Sequence, residues 1–137
     1  MIFEETVILS KPFAEAVQAV KAALAGVGFG VLTEIDLQAT LKSKIGTDIE
    51  PHTIIGACNP GLAARALEVD PQIGVLLPCN VVVRQSGPNV IVEAMDPGLM
   101  SKVSGNSDIE PIATEAGNLM NDALARMAAN AELTTGH

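Results

Sequence analysis

The chain has 137 residues, a length typical of a single domain, which we place at residues 1–137. Apolar residues make up 48% of the chain, only three residues are aromatic, and the net charge is −8. Nucleic-acid binders carry clustered Lys and Arg, and anionic membranes attract basic surfaces. The composition therefore argues against a nucleic-acid partner and against docking to a membrane.

The expected compartment follows from two further features. No apolar run approaches the roughly 20 residues that cross a bilayer. The first residues, Met1-Ile-Phe-Glu-Glu5, lack the basic and apolar layout of a secretion signal. We therefore predict a cytoplasmic protein, in which Cys58 and Cys79 are free thiols at rest because that compartment is reducing.

The first half of the chain alternates strand and helix patterns. Alternating side chains predict strands over residues 1–9 and 29–35, joined by a helix with Ser10 as its N-cap. A second helix is predicted to begin after Asp36, its N-cap, and to end at Gly46.

The second half is predicted to contain three more strands and a long helix. The elements are a strand at 53–58, a short helix at 62–69, a hairpin of strands at 79–84 and 89–95, and a helix from Ser107 to about Ala131. Ser107 and Glu110 have the spacing of a capping box at the start of that last helix. Residues 98–106 are polar and are predicted as a loop.

This order of elements predicts an α+β fold. We expect one mainly antiparallel sheet of about five strands, with the N-terminal helix and the long C-terminal helix packed on one face. The other face is apolar too; its expected residues are Ile55, Val82, Ile91 and Met95 beside Arg84 and Glu93. Antiparallel sheets that are apolar on both faces usually have both covered. Our hypothesis is a homodimer that buries part of the second face.

Each cysteine is followed by asparagine and lies beside a proline, in Cys58-Asn-Pro60 and Pro78-Cys-Asn80. Cys79 shares its strand parity with Val81, and Cys58 shares its parity with Gly56. If both sets face the helices, two thiols from neighbouring strands meet on one face of the sheet.

The thiols allow three interpretations. Cys58 directly precedes a predicted helix N-terminus, which stabilises an anion, so it is the preferred reactive thiol. Alternatively, both cysteines are small buried hydrophobes. The third interpretation is a metal site with Cys58, Cys79 and His52 as candidate ligands. The spacing of these residues supports a zinc site only weakly. A copper(I) site needs only two or three sulfurs, and Met95 or Met100 could supply one of them. The sequence requires no cofactor and identifies no catalytic residue.

Several blocks carry a resemblance to a known family: Phe29–Asp36, Lys44–Gly46, Ile55–Pro60, Leu76–Val83 and Met95–Pro97. Over essentially its whole length, the chain resembles the bacterial and archaeal family called domain of unknown function 302. The resemblance implies a TATA-binding-protein-like α+β fold, with a curved antiparallel sheet wrapped on a long C-terminal helix, and a homodimer without DNA binding. The family motif positions Glu34, Asp36, Asn59 and Asn80 are the implied ligand-binding residues.

Two functions from different classes follow. The first is a small homodimeric thiol-based module that binds a small ligand or soft metal, or handles redox or sulfur chemistry through the Cys-Asn pairs. The second is a non-catalytic interaction protein in which the cysteines serve only to pack the core.

Overall fold

The computed structural model describes the backbone of residues 6–135 and the side chains of residues 6–129. Residues 1–5 of the first predicted strand lie outside that range. The strands are β1 (Val7–Leu9), β2 (Gly30–Asp36), β3 (His52–Cys58), β4 (Cys79–Ser86) and β5 (Asn89–Ala94). The α-helices are α1 (Phe13–Ala25), α2 (Leu37–Ile45), α3 (Pro60–Val69), α4 (Leu99–Ser104) and α5 (Glu110–Thr135), with 3-10 helices at Pro71–Leu76 and Ser107–Ile109.

The five strands form one antiparallel sheet in the order β1-β5-β4-β3-β2. Strands β2 to β5 are neighbours in sequence as well as in space, while β1 pairs with β5 at the far edge. The tightest connection is the two-residue turn between β4 and β5, where Gly87 has a φ of 56°. Glycine adopts this left-handed conformation without a steric penalty. The predicted α+β fold with an antiparallel sheet is confirmed.

Helices α1 and α5 cover one face of the sheet and enclose the core. In α1, Val20 and Leu24 are four residues apart and fully buried, because residues at this spacing share one face of a helix. Met120 and Leu124 repeat the same spacing in α5. Within residues 6–135, no helix combines the length and apolar composition needed to cross a membrane.

The register of the sheet corrects the predicted assignment of faces. Ile55 pairs with Val81, and both are fully buried under the helices. Ile54 pairs with Val82 on the outer face, where both are half-buried. The alternation in the sequence predicted the reverse, with Ile54 facing the helices together with Gly56 and Cys58, and Ile55 on the outer face. A shift of one residue moves every side chain of a strand to the other face, and alternation within one strand does not define its register against the next.

Helix starts were predicted with mixed success. Asp36 caps α2 as expected, since its Oδ1 accepts a hydrogen bond from the Ala39 N–H at 2.9 Å. The predicted N-cap Ser10 is wrong, because Pro12 occupies the N-cap of α1 and supplies no side-chain hydrogen bond. The predicted capping box at Ser107 is also wrong. Asn106 is the N-cap at this point, and its Oδ1 accepts a hydrogen bond from the Asp108 N–H at 3.0 Å.

Candidate functional site

A small apolar cavity lies where the ends of β3 and β4 meet α3, α4 and α5. Its free volume is about 30 Å³, enough for a single ion or about one water molecule. Both cysteines line this cavity together with Met100. The rest of the wall is formed by Phe29, Ala57, Asn59, Leu62, Ala63, Ala66, Leu77, Ile109, Ile112, Ala113 and Ala116.

The two cysteines reach the cavity from adjacent strands. Cys79 is the first residue of β4 and pairs with Ala57, the residue before Cys58. Strict alternation would point Cys58 away from Cys79, so the predicted shared parity is wrong. Cys58 nevertheless lines the same cavity, because it is the last residue of β3 and the chain turns there into α3. Both cysteines line one cavity because β3 ends at Cys58 and β4 begins at Cys79 at the same end of the sheet.

Both thiols are free and are held in the neutral form. Burial raises the pKa of Cys58 above its ordinary value of 9.0. Cys79 is only 4% exposed. Burial, with a further contribution from the charge of Cys58, raises the pKa of Cys79 to about 11. At neutral pH both sulfurs therefore carry their protons.

The N-terminus of α3 does not activate Cys58 in the way that the sequence suggested. Asn59 is the N-cap, and its Oδ1 accepts a hydrogen bond from the Leu62 N–H at 3.2 Å. This side chain satisfies one of the helix donors that would otherwise face an anion. Its local role is structural, although it also lines the cavity.

A close approach between strands fixes the start of β4. Gly56 lies on the outer face of β3, where an added Cβ would collide with Thr33 Oγ1 and lie 2.7 Å from Pro78 Cγ. Glycine therefore lets Pro78 pack directly on the sheet, and Cys79 follows in the chain. Asn80 pairs with Gly56, is exposed, and accepts a hydrogen bond from the Met95 N–H through its main-chain oxygen at 3.0 Å.

Glu34 and Asp36 lie in a separate groove between α1 and β2. The groove is also lined by Lys21, whose Nζ lies 2.5 Å from Glu34 Oε1, and by Thr53. Glu34 pairs with Ile55, three residues before Cys58, which is about 10 Å along an extended strand. The structure therefore does not bring these two acidic residues to the thiols.

The remaining metal candidates divide clearly. Six residue steps of β3 separate His52 from Cys58, a distance of about 20 Å in a strand. Among the described residues, no group of three or more His, Cys, Asp or Glu side chains is placed to hold a metal. Met100 lines the cavity, whereas Met95 packs against the core elsewhere. The sequence predicted a loop over residues 98–106, whereas Met100 lies in α4 and is its buried residue.

Comparisons with known proteins agree with this architecture. The family model described as "Domain of unknown function DUF302" matches residues 5–127. The crystal structure of an uncharacterized conserved DUF302 protein from Bacillus stearothermophilus matches with a TM-score of 0.83 and 27% identity, covering 90% of this chain and 96% of that one. A search of curated proteins found no match. Because the family model spans most of the sequence, and the fold and both Cys-Asn blocks lie within the match, this chain belongs to the DUF302 family.

Proposed function

We propose that this protein is a thiol-based binding module in which Cys58 and Cys79 act together on one small ligand. The observation that supports the proposal is the apolar cavity that both residues line. A reducing compartment keeps such thiols free, so the proposed location is the cytoplasm.

The protonation of the thiols limits the chemistry. A thiolate is the nucleophile and the metal ligand, and both sulfurs are neutral at pH 7 because burial raises their pKa values. The resting protein is therefore a poor nucleophile, and its ligand must displace protons as it binds. Reversible disulfide formation or sulfur transfer would use the same pair and would need the same loss of protons. Binding by proton displacement is the chemistry that the cavity favours.

Alkylation of the folded protein tests this proposal. Iodoacetamide at pH 7 to 8, followed by intact mass analysis, is expected to modify the half-buried Cys58 first and Cys79 more slowly. Cys58→Ala and Cys79→Ala assign the two rates. The proposal requires both rates to exceed the rate of global unfolding measured under the same conditions. If neither thiol reacts until the chain unfolds, the thiol module is excluded.

That outcome would support the second candidate function, a non-catalytic interaction protein with packing cysteines. The observation in its favour is the outer face of the sheet, opposite α1 and α5. There Ile8 is 55% exposed and Ile35 is 43% exposed. Between them run half-buried residues of β3, β4 and β5: Ile54, Val82 and Ile91. An apolar stripe of this kind is typical of an interaction surface.

The occupant we propose for this face, under either function, is a second copy of the chain. The apolar stripe crosses the sheet from edge to edge. Beside it lies the ion pair of Arg84 and Glu93, whose side-chain atoms are 2.7 Å apart, and each copy of the chain would bring one such pair to the interface. Sedimentation at micromolar concentration is expected to show a dimer. Ile35→Lys should shift it to monomer, while Ile45→Lys, at an exposed position in α2, should not. A monomeric unmodified protein would exclude the homodimer.

A further inference from the structure

We infer that the cavity is a site for one soft monovalent cation of the copper(I) class, held by Cys58, Cys79 and Met100. This inference rests on the proposed thiol module and specifies its ligand. It starts from the fact that two thiol residues and one thioether residue line a single cavity. Soft thiolate and thioether ligands select soft metals such as copper(I).

The size and polarity of the cavity narrow the choice of ligand. A free volume of about 30 Å³ accommodates an ion and excludes a nucleotide, a haem or a drug-sized molecule. Water is a poor occupant, since an ordered buried water needs two to four polar partners. Apart from the two thiols, Asn59 is the only polar side chain among the described residues of the wall, and one acceptor position of its Oδ1 is already used by the Leu62 N–H.

The ligand count separates copper(I) from zinc. Zinc sites in proteins are usually tetrahedral and built from Cys, His or carboxylate ligands. Of the lining residues that the structure describes, only Cys58 and Cys79 are of these types, and His52 lies about 20 Å away along β3. Copper(I) is satisfied by two or three sulfurs, which matches the residues present.

The placement of the thiols supports a shared ion. Cys79 pairs with Ala57, the residue before Cys58, and both cysteines line the same cavity. With two thiolates and one monovalent cation, the bound unit carries one negative charge.

The binding step involves no electron transfer. Each thiol releases its proton to solvent as its sulfur bonds to the metal, and Met100 donates a neutral lone pair. One cation enters and two protons leave. An ordinary cysteine thiol holds its proton below about pH 8, so the loss of two protons on binding should raise the apparent affinity about 100-fold for each pH unit between pH 6 and 8.

Competition with bicinchoninate under anaerobic conditions tests the inference, with copper(I) as the probe. We expect one ion per chain by native mass spectrometry and a two-proton dependence on pH. Met100→Leu should weaken binding at least tenfold, and Met95→Leu, the matched control outside the cavity, should leave it unchanged. Cys58→Ala and Cys79→Ala should each reduce the pH dependence to one proton or abolish binding, and circular dichroism checks that each variant is folded.

Three results would overturn the cation site. Absence of copper(I) binding in a protein whose thiols react with iodoacetamide removes the cation but leaves the thiol module. Equal affinity in the Met100→Leu and Met95→Leu proteins removes Met100 from the ligand set. A one-proton dependence in the unmodified protein shows that the two thiols do not bind the ion together.

Discussion

The buried thiol of Cys79 should make the stability of this protein fall in alkali. Its pKa is about 11 in the folded chain against an ordinary value of 9.0. Below pH 9 the folded and unfolded chains both hold the proton, and the contribution to stability is fully present. Above pH 9 the unfolded chain releases the proton first, so the free energy of unfolding declines until the folded thiol ionises as well.

The size of this decline follows from the shift. Each pKa unit corresponds to about 1.4 kcal/mol, so the raised pKa of Cys79 predicts a loss of about 3 kcal/mol between pH 9 and 11. Urea denaturation of the unmodified protein and of Cys79→Ala, repeated from pH 7 to 11, gives the free energy of unfolding of each. The difference between these two free energies should change with pH by the predicted loss. Groups common to both cancel, and the cavity left by the alanine adds an offset that does not change with pH.

Cys58→Ala separates the two causes of the raised pKa of Cys79. It removes the charge that contributes to the raised pKa of Cys79, while burial, the larger cause, remains. The decline should therefore become smaller without disappearing. Parallel curves for the unmodified protein and Cys79→Ala across this pH range would refute the account of Cys79 as a thiol held neutral by burial.

Four further substitutions test which contacts stabilise the site and its surroundings. Gly56→Ala should lower the free energy of unfolding by about 1–3 kcal/mol in urea denaturation, because the new methyl group meets Thr33 and Pro78; unchanged stability would mean that the strands separate easily there. Asn59→Ala should lower the free energy of unfolding by about 1 kcal/mol, because α3 loses its N-cap hydrogen bond. Asn80→Ala, the control at an exposed position, should change it by less than about 0.5 kcal/mol. Equal losses of stability in thermal denaturation would contradict the capping role of Asn59. Glu34→Gln should change stability by less than about 1 kcal/mol, since the pair with Lys21 is partly exposed, and a larger loss would assign the groove a structural role.

Local patterns predicted the elements well. The hairpin of β4 and β5 follows from two β-branched runs around Gly87-Pro88, and the chain turns there as expected. The long C-terminal helix follows from apolar residues at helical spacing, which predict a buried face of Ile112, Leu119, Ala123 and Met127; Leu119 is half-buried and the other three are buried. These features depend on neighbours in sequence, which is the information that periodicity contains.

The arrangement of the site depends on non-local geometry. The pairing of Cys79 with Ala57 defines which side of β3 faces the helices, and no local pattern encodes that register. The raised pKa of Cys79 follows mainly from its burial in the fold. The cavity that it lines also includes Met100 of α4, a helix that the polar composition of residues 98–106 concealed. The sequence identified the pair of cysteines, but the raised pKa values and the choice of Met100 over Met95 required the fold.

The pairing of β1 with β5 has a consequence for synthesis of the chain. Leu9 is synthesised before its partner Val90, which follows roughly eighty residues later. At about 5–20 residues per second, the ribosome needs at least about 4 seconds to deliver that partner. During this interval Val7 and Leu9 have no β5 edge to pair with. Strand β1 is therefore synthesised before the other strands of the sheet but is among the last to form its hydrogen bonds. A nascent chain halted before residue 89 should therefore leave its N-terminal segment open to proteases.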